Sequence, residues 1–208
     1  SSINNTELRN LSDFLQNNRV TLLDAIKSMN FAIVAIEALK DGAEVDYDNR
    51  LIYDSSLDEY YINRMSIREK EIFDGISIYQ KTQYLMSAQQ ASNYAKKYNE
   101  SIYNGKGDAV RHAFWNALST VRLGETLTKQ LTDAHEENAF QYSNHYKEKQ
   151  MDLFNNAIGR QIALGQGKLY QLIEQALANG DLRYLSHLLG GGQSGRATNQ
   201  SQLTPTNQ

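Results

Sequence analysis

The chain has 208 residues, of which 40% are hydrophobic and 22% charged, and its formal net charge is −3. This balance is typical of a folded soluble domain rather than a disordered chain. The negative charge predicts no nucleic-acid partner, because nucleic-acid-binding domains usually carry a strongly basic face. There is no cysteine, so disulfides and thiolate metal sites are excluded. A metal ion would have to bind His, Asp, Glu or Asn side chains.

Apolar residues at helical spacing predict a short helix within 1–18 and a firmer helix over 20–39. The longest apolar run lies in that second helix and is far too short for a transmembrane segment. Residues 43–64 alternate polar and apolar side chains, which predicts a loop or a short hairpin. Residues 1–64 are therefore expected to form an N-terminal extension that packs on, or leads into, the main domain. They are also the expected contact surface for an envelope protein partner.

The main domain is predicted to cover residues 65–189, beginning at a capping box formed by Ser66 and Glu69. The single proline of the chain, Pro205, lies in the tail, and a body without proline suits long helices joined by short turns. The further helices are predicted at about 76–98, 108–123, 125–140 and 147–164, with a helical pair over 167–189.

From residue 190 the composition changes to Gly, Gln, Ser, Thr and Asn, which bury little apolar surface. Residues 190–208 are therefore predicted to be a disordered tail. Together these patterns predict an all-α fold, a single irregular bundle of about six to eight helices.

The helix that starts near Asp108 carries a polar stripe. Asp108, His112 and Asn116 are four residues apart and so share one helix face, and Arg111 and Trp115 form a second stripe beside it. An Asp and a His at this spacing can bind one divalent cation, or the Asp can fix the tautomer of the His. The structural alternative is that Asp108 caps the helix and His112 is a satisfied, half-buried side chain.

Two further polar clusters follow along the chain. His135 and Glu136 are neighbours, which places them about 100° apart around a helix; the alternative here is a solvated acidic face. Asp152 and Asn156 share a face of the next predicted helix, as do Asn156 and Arg160. Because Asn and Asp are poor helix-interior residues, this second cluster predicts a surface facing something specific. Its structural alternative is a set of buried polar pairs with Arg111 or Arg160.

A helical bundle points the polar stripes of neighbouring helices at one another, so the three clusters are expected to converge on one site. At these residues the sequence resembles a bacterial family known only as a domain of unknown function. Its members occur in exported proteins, lipoproteins and the C-terminal ends of polymorphic toxins. The matching stretches are DAVRHAFWNA at 108–117, AHE at 134–136 and MDLFNNAIGR at 151–160.

The resemblance covers roughly residues 65–190 and implies a shared site without an established activity. It also implies an exported protein acting in the periplasm, at the cell surface or outside the cell. One departure is Phe154, where family members often carry His. The positions that the family pattern singles out are Asp108, Arg111, His112, Trp115, Asn116, His135, Glu136, Asp152, Asn155, Asn156 and Arg160.

The leading functional hypothesis is a metal-assisted hydrolase acting on a phosphoester, lipid or cell-wall bond. The metal ligands would be His112, His135 and a carboxylate from Asp108 or Asp152, with zinc the expected ion and one position open for water. A general base and charge-stabilising groups complete this hypothesis. The residues proposed for those roles are Glu136 as the base, Arg111 or Arg160 for developing negative charge, and Asn116 and Asn156 as supporting amides.

Two alternatives stay open at this point. In a metal-free variant, Asp108 and His112 form an acid–base pair. In a non-enzymatic module, the polar network only fixes the packing of three helices.

Overall fold

The computed structural model describes residues 57–137 and 142–208, so the helices predicted within 1–39 lie outside the described residues. The described part is mainly α-helical, which confirms the all-α prediction. A short 3₁₀ helix spans Lys96–Ser101, and two short strands lie near the C-terminal end. The α-helices of this part are α1 (Asp58–Ile62), α2 (Ile67–Gly75), α3 (Ile78–Ala95), α4 (Lys106–Leu123), α5 (Glu125–His135), α6 (His145–Ala163) and α7 (Leu169–Asn179).

Local sequence signals fix the ends of several helices. Ser66 caps α2 and Glu69 returns the hydrogen bond, as predicted, and Ser77 makes a second capping box at α3. Gly124 separates α4 from α5 with a φ of 84°, a conformation that costs glycine little. Gly180 ends α7 in the left-handed conformation.

Helix α4 is the centre of the fold and contacts α3, α5, α6 and α7. Its apolar face supplies the middle of the hydrophobic core, including Phe114 and Leu118. Its closest partner is α6: a Cβ added at Gly159 would lie 2.1 Å from the carbonyl oxygen of Ala113. The two helix backbones therefore touch, and this contact sets how the polar side chains of α4 and α6 meet.

Three predicted elements differ from the structure. The segment predicted as a loop or hairpin contains helix α1 at its end. The helix predicted over 76–98 becomes a 3₁₀ helix after Ala95. The second helix of the pair predicted over 167–189 is wrong: after Gly180 the chain forms strand β1 (Arg183–Leu185) instead.

The predicted disordered tail is also wrong. Strand β2 (Leu203–Pro205) pairs antiparallel with β1, and the loop between them is held by hydrogen bonds to the helices. The ammonium group of Lys147 donates to three tail carbonyls, those of Thr198, Asn199 and Ser201, at 2.9 to 3.0 Å. A composition poor in apolar residues excludes a hydrophobic core, but these residues are ordered by polar contacts instead.

Among residues 57–137 and 142–208, no helix combines the length and the apolar character needed to cross a membrane.

Candidate metal centre

Asp108 and His112 on α4 face Asp152 on α6, and we call these three residues the Asp–His–Asp cluster. The Nε2 atom of His112 lies 3.5 Å from Oδ1 of Asp108 and 3.3 Å from Oδ1 of Asp152. One ligating atom from each residue lies within 4.8 Å of the other two. Asp108 and His112 are buried, and the Asp152 side chain is 16% exposed. The cluster can therefore hold one metal ion, which supports this part of the predicted ligand set.

The hydrogen bonds of His112 define its tautomer. Its Nδ1 lies 3.1 Å from Oδ1 of Asn156, an oxygen that can only accept, so Nδ1 carries the proton. Its Nε2 lies 2.8 Å from Nη2 of Arg111, which can only donate. The lone pair of His112 therefore points toward the two carboxylates. This is the nitrogen that a metal ion would need.

Arg111 is the charge that neutralises the cluster in this structure. Its guanidinium lies 2.6 Å from Oδ1 of Asp108 and also donates to His112. Burial works against the charge on Asp108, but Arg111 and the hydrogen bond from the Asn104 amide lower the pKa of this carboxyl below its ordinary range. Burial lowers the pKa of His112, and the nearby Arg111 lowers it further. The imidazole is thus kept neutral, the form that binds metals.

Asp152 is the member of the cluster whose negative charge has the least favourable surroundings. Its Oδ1 is buried and has no hydrogen-bond partner among the described residues. Burial raises the pKa of Asp152 well above its ordinary value, and the carboxylates of Glu136 and Asp108 raise it further. A divalent cation beside this oxygen would give it a partner, and the positive charge of the ion would offset the burial and the repulsion from the neighbouring carboxylates.

The predicted site residues Asn116, Asn156 and Arg160 form a buried set of hydrogen bonds with Thr132, which we call the amide network. Asn116 donates to Oδ1 of Asn156 at 2.7 Å, and its own oxygen accepts from Thr132 and Arg160. Both amides are 0% exposed and Arg160 is 6% exposed. These three residues lie behind the cluster and do not line the cavity in front of it. They can position His112, but in this structure a substrate could not contact them.

His135 is not among the cluster's ligating residues. Its Nδ1 lies 2.7 Å from Oε2 of Glu69, a carboxylate that is 1% exposed. The indole of Trp115 packs edge-on against the His135 ring, with 5.2 Å between centroids. The structure thus separates His135 from the predicted ligand set and gives it a carboxylate partner. The sequence assigned Glu69 only a capping role, which it also fills.

Glu136 and Asn155 take supporting positions. Oε1 of Glu136 accepts from Nδ2 of Asn156 and lies 3.5 Å from Nδ1 of His112. Glu136 therefore sits at the His112 nitrogen opposite the cluster, although it also borders the cavity. Asn155 is fully buried and exchanges hydrogen bonds with the backbone of Arg183, which attaches β1 to α6.

A cavity of about 220 Å³ opens in front of the cluster. Asp108, Arg111 and Asp152 form its polar floor, and His135 and Glu136 border it. Sequence reasoning missed the remaining wall, which comes from turns, from the first turn of α6 and from the tail that was predicted to be disordered. These missed residues are Tyr103, Asn104, Tyr142, His145, Glu148 and Arg196.

Comparison with known proteins adds a family but no activity. No curated protein and no solved structure gives a significant match. The model of one protein family, described as a domain of unknown function (DUF6973), matches residues 73–180. The match includes α4, α5 and α6 with the whole Asp–His–Asp cluster, whereas Glu69 and Arg196 lie outside it. The chain is therefore a member of this DUF6973 family of unknown function.

Proposed function

We propose that this protein is a divalent-cation-dependent hydrolase whose metal ligands are Asp108, His112 and Asp152. The observation that carries the proposal is the spacing of the three ligating atoms. Two ligands about 2.1 Å from one tetrahedral zinc ion lie about 3.4 Å apart. The distances from His112 Nε2 to the two carboxylates, 3.5 and 3.3 Å, match that separation.

The number and kind of ligands also favour catalysis over a structural metal. Structural zinc sites are closed by four protein ligands, whereas catalytic sites use three and leave one position for water or substrate. Here three ligands converge and a cavity lies beside them. Asn156 and Glu136 hold the other nitrogen of His112, an arrangement that orients metal-binding imidazoles.

Bound metal would supply Lewis acidity and an activated water molecule. The residues of the chain would do the rest. Arg111, released from His112 Nε2 by the ion, would lie beside the cavity, where its fixed charge can stabilise a developing oxyanion or phosphate charge. Both His135 and Glu136 border the cavity and can exchange protons. The cleaved bond would be a phosphoester or an ester of a lipid or cell-wall compound.

The place of action belongs to the same proposal. The sequence pattern at 108–117, 134–136 and 151–160 resembles proteins that are exported, which supports the periplasm, the cell surface or the secreted milieu. Zinc is the preferred ion, because imidazole and carboxylate groups are among its usual ligands.

The test is zinc binding and hydrolysis by protein purified without a His-tag. We expect zinc to raise the melting temperature of the wild type, since a ligand that binds only the folded state stabilises it. Zinc-loaded protein should hydrolyse bis(p-nitrophenyl) phosphate or p-nitrophenyl butyrate, and His112→Ala should lose both effects. His187→Asn is the matched control, because His187 is exposed and its φ of 51° suits Asn. A wild type that binds no zinc would contradict the metal centre, and zinc binding without hydrolysis of either probe would contradict the enzyme.

One observation favours a second candidate, a metal-free polar centre that serves packing. Arg111 already occupies the position between Asp108 and His112 that the cation would take. Arg111→Gln separates the two candidates. If a metal competes with Arg111, the variant should bind zinc more tightly than the wild type, by isothermal titration calorimetry. If Arg111 is the permanent counter-charge, the variant should bind no zinc and should unfold earlier, because Asp108 is left buried without its partner.

A further inference from the structure

The carboxylate of Glu69 is fully committed to three donors. Its Oε1 accepts from the hydroxyl of Tyr84 at 2.7 Å, and its Oε2 accepts from Nδ1 of His135 at 2.7 Å and from the amide of Ser66 at 3.3 Å. The side chain is 1% exposed. A buried carboxylate that accepts three hydrogen bonds keeps one orientation.

This arrangement determines what His135 can do. Because Glu69 can only accept when ionised, Nδ1 of His135 carries the proton and Nε2 carries the lone pair. Among the described residues, Nε2 has no hydrogen-bond partner in the structure, and the side chain is 28% exposed. The ring borders the same cavity as Asp108, Arg111 and Asp152. A nitrogen base is thus held at the edge of the candidate metal centre.

Glu136, the base predicted from the sequence, is placed less well for that role. Its Oε1 is bound to Asn156 and faces the Nδ1 side of His112, away from the two aspartates. His135 has the opposite arrangement, since one nitrogen is anchored in the protein and the other is accessible. Orientation of an imidazole by a buried carboxylate is the arrangement that general bases use in several unrelated enzymes.

We propose that His135 is the proton-transferring group of this site and that Glu69 is its positioning residue. The inference rests on the proposed hydrolase function. Nε2 of His135 accepts a proton from the attacking water while the water oxygen bonds to phosphorus or to the carbonyl carbon. The bond to the leaving oxygen then breaks, and the imidazolium returns the proton to that oxygen. Glu69 keeps its hydrogen bond to Nδ1 throughout and stabilises the imidazolium.

The charges around His135 agree with this role. Burial lowers the pKa of His135, but its hydrogen bond to Glu69 and the charges of Glu69 and Glu136 raise it overall, whereas Arg111 opposes them. These groups come from α2, from the end of α5 itself and from α4. The Trp115 ring packed against His135 carries no charge. An imidazole with a raised pKa is a stronger base.

The first test is ¹⁵N NMR of the histidine rings, which needs no substrate. The signals of His135 are assigned by their loss in His135→Gln, since the chain has four histidines. We expect the neutral wild-type ring to carry its proton on Nδ1, and the titration midpoint to fall by about 1 unit or more in Glu69→Gln. Tyr84→Phe is the matched control, because it removes the other side-chain donor to Glu69 and leaves His135 paired. A wild-type ring protonated on Nε2, or a midpoint unchanged in Glu69→Gln, would overturn the pairing.

The second test uses zinc-loaded protein and bis(p-nitrophenyl) phosphate. His135→Ala should lower kcat about 10²- to 10⁴-fold, the usual contribution of general acid–base catalysis, with zinc affinity unchanged. Free imidazole should restore part of the lost rate, and Glu69→Asp should retain more activity than Glu69→Gln. Full activity of His135→Ala with an unchanged pH profile would overturn the proton-transfer role. A wild type inactive on the probe would overturn the hydrolase function and that role with it, whereas the NMR result would still decide the pairing.

Discussion

The two halves of the polar stripe on α4 behave differently, although they lie on one helix and face the same partner helix. At the Asn116 end, the amides and Arg160 satisfy one another and are shielded from solvent. At the Asp108 end, the Asp–His–Asp cluster leaves an Asp152 oxygen with no hydrogen-bond partner in the part of the chain that the structure describes, and it opens on a cavity. The first arrangement is complete as it stands, whereas the second arrangement requires a cation or a proton.

This difference teaches how to separate structural from functional polar residues. Buried polar groups in native proteins are nearly all hydrogen-bonded, so a satisfied network needs no further explanation. An unsatisfied carboxylate beside two other ligands does need one. The polar positions predicted from the sequence include both kinds of residue, and only the structure distinguishes them.

The largest effect should follow from forcing α4 and α6 apart, which would disturb both halves at once. Gly159→Ala places a methyl group 2.1 Å from the Ala113 carbonyl oxygen. The helix backbones must separate to admit it, so we expect a loss of about 3 kcal/mol in the free energy of unfolding. Urea denaturation measures this loss, and zinc affinity should fall as well.

The matched control for that change is Gly75→Ala, in the last turn of α2. A Cβ at Gly75 would meet no atom within 4 Å. We expect a change within about 0.5 kcal/mol, as for surface substitutions in general. Equal effects of the two alanines would show that α4 and α6 do not depend on close contact.

A smaller but still large loss should follow from opening the amide network. Asn156→Ala removes the acceptor of Asn116 and of His112 Nδ1. We expect the free energy of unfolding to fall by about 2 kcal/mol, because the two buried donors would have neither water nor a protein acceptor as a partner. Thermal unfolding in the presence of a chelator measures this cost without a contribution from metal. Gln161→Ala, at an exposed position of the same helix, should unfold like the wild type.

A substitution in the Asp–His–Asp cluster should leave the stability of the metal-free protein unchanged or raise it, in contrast to the two changes above. Without metal, Asp152→Asn removes a buried carboxylate that lies near Glu136 and Asp108, so we expect the variant to be as stable as the wild type at pH 7, or more stable. The pKa of Asp152 is raised in the folded protein from its ordinary 3.8. Below about pH 3.8 the Asp152 carboxyl is protonated in both the folded and the unfolded protein, so it does not change the free energy of unfolding. As the pH rises above that value and through the pKa of Asp152 in the folded protein, the wild type loses stability.

Two measurements check this expectation. In chelator, the stability difference between Asp152→Asn and the wild type should grow from pH 4 to pH 7. With zinc the order should reverse, because only the wild type offers two negatively charged carboxylates to the ion. A variant that is much less stable than the wild type in chelator at pH 7 would place Asp152 with the structural residues.

The smallest effect is expected in the tail. Lys147→Ala removes the ammonium group that binds three tail carbonyls. We expect the free energy of local opening to fall by about 1 kcal/mol, with little change in global unfolding. Hydrogen exchange of the Leu189 and Gly195 amides, which bond to the backbone of Arg196 and Tyr103, measures the opening. Lys149→Ala on the same helix should leave both exchange rates unchanged.

Helical periodicity and capping were enough to predict the all-α fold and the common face of Asp108 and His112. The same periodicity placed Asp152 on a facing helix, because bundles bring polar stripes together. The role of Glu69 could not be predicted, since its capping function explained it fully and its contact with His135 spans 66 positions in the sequence. The ordered tail was missed for a different reason. Composition reports how much apolar surface a segment can bury, whereas the tail is held by carbonyl groups that every sequence has.

Asn104 connects the Asp–His–Asp cluster to the tail. Its φ of 62° is rare for a non-glycine residue, and in this conformation its amide binds Oδ2 of Asp108 while its side chain binds the Gly195 carbonyl. Its own carbonyl receives the amide of Leu185 in β1. One residue thus orients a candidate metal ligand and anchors the tail. The coupling between the two places is reciprocal. If metal binding changes the equilibrium constant for docking of the tail, then a molecule that holds the tail in its docked position changes the metal affinity by the same factor.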